Sequence, residues 1–71
     1  MRVTVKSMQP CDPDDPSVMT AEVFFYNEQS EFPNSATVEV FIESGDSTLP
    51  KLETDAIRTA IDFLKSATAL L

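Results

Sequence analysis

Seventy-one residues suffice for one domain around one small core, and a chain this short leaves much of its surface in water even when folded. With 42% hydrophobic and 24% charged residues, wholesale disorder is excluded. One glycine against five prolines excludes a glycine-rich phosphate loop, and a formal charge of -7 sets the chain against phosphate backbones and anionic lipid.

Met1-Arg2-Val3-Thr4-Val5-Lys6 alternates apolar and polar residues, where a signal peptide would show an unbroken apolar run. Val3 and Val5 against Arg2, Thr4 and Lys6 make a first strand over residues 1–7, with one buried and one wet face. The stretch from Gln9 to Pro16 holds three prolines and three aspartates. Proline lacks the ladder donor, and such a stretch reads as a loop.

Between Val18 and Glu28 the β-branched and aromatic content rises, as suits a central strand. Alternation puts Met19, Ala21, Val23 and Phe25 on one face and Thr20, Glu22, Phe24 and Tyr26 on the other. Residues 29–35, with Pro33 and Asn34, supply a turn. A third strand follows over 36–43: Ala36, Val38, Val40 and Ile42 face inward, and Thr37, Glu39, Phe41 and Glu43 face outward. Ser44-Gly45-Asp46-Ser47 is a break, with the lone glycine placed for a positive φ.

The period then changes. Leu52, Ala56, Ala60, Phe63, Leu64, Ala67 and Leu71 recur at spacings of three and four, the stripe of a long C-terminal helix. Ser47 or Thr48 is positioned to cap it and Pro50 is tolerated in its first turn. Lys51, Asp55, Arg58, Asp62 and Lys65 alternate in sign on its wet face. A helix of about 22 residues is about 33 Å long, against about 26 Å for an eight-residue strand, so the end bearing Thr68 to Leu71 is expected to overhang the sheet.

Residues 1–71 thus read as a single α+β domain in the order β-β-β-α: a three-stranded antiparallel sheet with one long helix packed on one face. The predicted core is Val3, Val5, Met19, Ala21, Val23, Phe25, Val38, Val40, Ile42, Leu52, Ala56, Ala60, Phe63, Leu64 and Ala67. In topology alone this order resembles the latter part of the double-stranded-RNA-binding fold. That fold's last helix begins with basic residues, whereas here Lys51 is followed by Glu53 and Asp55, so RNA binding does not come with the resemblance.

Histidine is absent, which removes imidazole bases and ligands. Cys11 is the only cysteine and Asp12 adjoins it, so neither an internal disulfide nor an activated thiolate is expected, and a reducing cytoplasm is the default compartment. The acidic run Asp12-Pro13-Asp14-Asp15 lacks the glycine and distal glutamate of a calcium loop. Glu22, Glu39 and Glu43 are expected to pair across strands with Arg2 or Lys6. No enzyme activity, cofactor, metal or small-molecule substrate is expected.

What the helix leaves uncovered is the outer sheet face, where Phe24, Tyr26 and Phe41 stand with Thr37 and Glu39. Aromatic rings on a face open to water mark a contact surface. The expected function is a non-enzymatic interaction module with a protein partner, self-associating as a homodimer through that face, or through one of the two open strand edges. The alternative is an acidic inhibitor or decoy that occupies a basic site on another protein.

Overall fold

A computed structural model describes residues 1–29, 31–45 and 47–71. Its elements are β1 (Arg2–Asp12), β2 (Asp15–Tyr26), β3 (Ser35–Glu43) and α1 (Leu49–Thr68). The strands form one antiparallel sheet in the order β1-β2-β3. The expected α+β architecture is what the chain adopts, with α1 on the sheet's inner face. No helix among the described residues is long and apolar enough to cross a membrane.

The first two strands are longer than expected, and the proline-rich loop is the tip of their hairpin. β1 continues to Asp12 and β2 begins at Asp15, leaving Pro13 and Asp14 as the connection. Each proline occupies a place that needs no ladder donor. Pro10 lies on an edge strand, Pro13 is in the turn, and Pro16 precedes Val18, the first residue of β2 paired with β3; these are positions where strands tolerate proline. Two aspartates hold the bend: Asp12 Oδ1 accepts a hydrogen bond from the Asp14 N–H at 3.0 Å and Asp15 Oδ1 accepts one from the Ser17 N–H at 3.0 Å, in the manner of Asx turns. The acidic run therefore shapes the chain.

The β1–β2 register shifts twice, at the hairpin tip between Pro10 and Asp12 and, within the body of the sheet, at Lys6. Val5 stands opposite Val23 but Ser7 stands opposite Glu22, so Lys6 is an extra residue bulged out of the ladder. Beyond it the parity of β1 flips, and Met8, opposite Ala21, joins the inner face. β2 and β3 run without interruption from Val18 opposite Glu43 to Tyr26 opposite Ser35.

The buried core comprises Ala21, Val23, Phe25, Val38, Val40, Ile42, Leu52, Ala56 and Ala60, with Val3, Val5, Met8, Met19, Ile57 and Leu64 packed around it. Ala56 and Ala60 have no exposed surface; with only a methyl group between backbone and sheet they let the helix lie close. Phe63 and Ala67 were expected in this core and are outside it. Both share the helical stripe with Ala60, yet Phe63 is 59% exposed and Ala67 is exposed, while Leu64, next to Phe63, is the residue of that turn that packs against the core. Leu70 and Leu71 are also exposed, as expected for the overhang. Ala36 faces inward but is exposed, and beside it Met1, Phe25, Asn27, Asn34 and Ser35 line a shallow hollow of about 220 Å³.

The helix starts at its predicted place, though Thr48 as N-cap makes no side-chain hydrogen bond; its carbonyl accepts the Leu52 N–H at 3.0 Å. Gly45 has the expected positive φ, 48°. Asp46 of that break, and Ser30 of the preceding turn, lie outside the described residues. The radius of gyration is 13.4 Å and the extents are 44 × 25 × 18 Å. A compact chain of this length would have a radius near 11 Å, and the excess reflects the β1–β2 hairpin projecting past the end of β3.

Burial assigns the stability. Val23 is the largest side chain with no exposure, and Val23→Ala is expected to cost about 2 kcal/mol, whereas Phe63→Ala is expected to cost less than about 1 kcal/mol. Urea denaturation followed by circular dichroism checks the order; an equal loss at the two positions contradicts this core.

The hairpin tip should respond to acid. Hydrogen bonds from the Ser17 side chain, and then from its backbone N–H, hold the Asp15 carboxyl below its ordinary value of 3.8. A folded pKa below the unfolded one contributes stability that is complete above the unfolded value and lost as pH falls through the folded one. Between pH 6 and pH 3 the wild type should therefore lose more stability than Asp15→Asn, measured by urea midpoints. Identical losses contradict the assignment.

Candidate interaction surface

The outer face is built in rows across the strands. Arg2, Tyr26 and Ser35 form one row, followed by Thr4, Phe24 and Thr37, then Ser7, Glu22 and Glu39, then Gln9, Thr20 and Phe41. All five residues expected at the contact surface, Phe24, Tyr26, Thr37, Glu39 and Phe41, share this face. They do not form one patch. Phe41 is four residues along β3 from Thr37, the partner of Phe24, a distance of about 13 Å along a strand. The facing carboxylates of Glu22 and Glu39 lie between.

Phe24 and Tyr26 are half-buried and cover each other. Two residues apart on β2, they stack with ring centroids 6.2 Å apart and planes inclined by 16°. The bulged Lys6 lies over the Phe24 ring, its Nζ 5.3 Å from the centroid, a cation–π contact that also lays an aliphatic stem along the ring. Beside Tyr26, the Arg2 guanidinium pairs with Glu28 at 3.0 Å. The expected pairing of Arg2 or Lys6 with the sheet glutamates gives way to these contacts because the bulge redirects Lys6 and the end of β2 brings Glu28 to Arg2.

Phe41 is the exposed ring, at 59%. Its partner on β2 is Thr20, and Val18, diagonal to it, is 37% exposed. Although Phe41 points away from the helix, it lines a depression of about 400 Å³ together with Ile42, Glu43, Asp55, Arg58 and Thr59. A residue of the outer face meets helix residues in this way only around the open edge of β3. Arg58 is loosely held there, its Nη1 3.9 Å from Asp55 Oδ1 and its side chain 71% exposed. Arg58 and Val18 were not among the expected contact residues; alternation names the face of a side chain, whereas their proximity to Phe41 depends on strand register and helix placement.

Among the described residues no cluster of three or more His, Cys, Asp or Glu side chains is arranged to hold a metal ion, and the core contains no polar side chain. Cys11 is a free, exposed thiol at the hairpin tip. Comparison of the chain with protein-family models, curated proteins and solved structures found no match.

Proposed function

We propose that this chain is a non-enzymatic interaction module that self-associates through the β3 side of its outer sheet face, with Phe41 in the contact. The observation that carries this reading is the exposed Phe41 ring, which lies beside Val18 and belongs to β3, an edge strand that among the described residues pairs only with β2. Phe24 and Tyr26 support the contact as a stiff, partly covered platform, because each already has a ring or a cation against it. A twofold axis would let the β3 side of one chain meet that of its copy.

Sedimentation equilibrium tests the proposal. The wild type is expected to dimerise at high micromolar concentration, and Phe41→Glu to weaken the dimer by about tenfold or more, equivalent to about 1.4 kcal/mol. A wild type that stays monomeric, or a dimer indifferent to Phe41→Glu, overturns it.

One arrangement favours a second reading, that of an acidic decoy for a basic site. Glu22 directly faces Glu39, with Ser7 on the other side, so no Lys or Arg occupies this row on a chain of formal charge -7. Binding to a basic partner would then fall steeply with added salt. Salt-insensitive binding to such a partner removes this reading.

A further inference from the structure

The two edges of the sheet are unlike. Edge strands expose unpaired N–H and C=O groups, and bulges, prolines and lysines are the usual means of keeping other strands away. β1 carries the Lys6 bulge, Pro10 with no N–H, and the cations Arg2 and Lys6. β3 has no proline, lysine or arginine, and its nine residues keep one unbroken register with β2.

We infer that the free edge of β3 docks a second copy of this chain, the two strands pairing antiparallel about Val40 so that Glu39 of each stands opposite Phe41 of the other and within reach of its Arg58. This deepens the proposed self-association and rests on it. In an antiparallel pair, residues opposite each other point to the same face. The aliphatic faces of both sheets must stay on the helix-covered side, so the axis passes through a residue pair and inward residues meet inward residues.

Charge then selects the register. An axis at Glu39 sets that carboxylate directly against its own copy, and an axis at Phe41 sets Glu39 against Glu43. Like charges in direct opposition are destabilising. An axis at Val38 avoids this but places Phe41, and with it Arg58, beside the partner's uncharged Ser35. Pairing about Val40 moves the two Glu39 carboxylates to a diagonal, sets Glu43 against Thr37, and keeps Val38 against Ile42 on the apolar side. It also brings each Glu39 to the depression where Arg58 has, among the described residues, a 3.9 Å contact with Asp55. The two Phe41 rings become diagonal neighbours, within reach of each other across the joint.

A charge-swap cycle followed by sedimentation equilibrium tests the joint, with circular dichroism confirming that each variant is folded. Arg58→Glu and Glu39→Arg are each expected to weaken the dimer about tenfold, and the double variant R58E/E39R to recover most of the loss. Arg58 lies on the helix beside Phe41; the edge joint requires it against the partner's Glu39, whereas a contact made only through the outer face does not. A dimer weakened by Phe41→Glu but unaffected by Arg58→Glu therefore overturns the edge joint and leaves self-association standing. Two single losses that the double variant does not recover overturn the Arg58–Glu39 contact and the Val40 register with it. A monomeric wild type overturns both the joint and the reading beneath it.

Discussion

Close approach of α1 to the sheet is the interaction on which the remainder of this small fold depends. Ala56 and Ala60 are fully buried on the helix side, and Ala21 and Val23 are 1% and 0% exposed on the sheet side. Small side chains on both surfaces bring the two backbones together, so a modest number of methyl groups closes a dry centre. The larger side chains Leu52, Ile42 and Phe25 extend the same cluster. Since one helix covers one face, this arrangement determines what is left over: the far corner near Ala36, the last turns of α1, the whole outer face and the edge of β3.

Much of this plan is legible in the residues themselves, and the failures have specific physical origins. Period-2 alternation assigns the faces of β2 and β3 correctly because the ladder between them, from Val18 to Tyr26 on β2, runs without a bulge. The same alternation in β1 stops being informative at Lys6, where one extra residue reverses the parity and brings Met8 inward. Prolines mislead around the hairpin tip. Their density signals a loop only where strands have neighbours on both sides, and here Pro10 and Pro16 lie where the ladder is one-sided. Phe63 illustrates a different limit: helical periodicity marks a broad stripe of candidates, but which of two neighbours on it packs, here Leu64 rather than Phe63, depends on where the helix sits on the sheet.

Alternation correctly gathers three aromatic rings onto the outer face, but a shared face is not a shared patch. The register places Phe41 two rows from Phe24 and three from Tyr26. The bulge that breaks the β1 pattern also brings Lys6 over Phe24, so the irregularity that obscures the first strand also covers part of the surface that strand was expected to leave bare. Of the aromatic surface anticipated from the sequence, Phe41 is the strongly exposed part, and its surroundings come from β2 and α1 as much as from its own strand.

The two unlike edges bear on how a strongly acidic chain could recognise its own copy. A contact relying on broad outer faces would bring Glu22 and Glu39 of each chain against a surface of the same sign, and the one strongly exposed ring on each outer face, Phe41, would offer little apolar area in return. A strand joint depends instead on backbone hydrogen bonds, which carry no net charge and whose donors and acceptors are already aligned along β3. Only Glu39 and Glu43 then need to be accommodated. A twofold axis at Val40 does so with residues already in place, since it removes direct carboxylate opposition and offers Glu39 a guanidinium whose existing partner is 3.9 Å away. In the proposed joint, the bulge, proline and lysine along β1 would keep a joined pair from adding further strands at its outer edges, so the asymmetry that favours β3 as the docking edge would also limit the assembly to two chains.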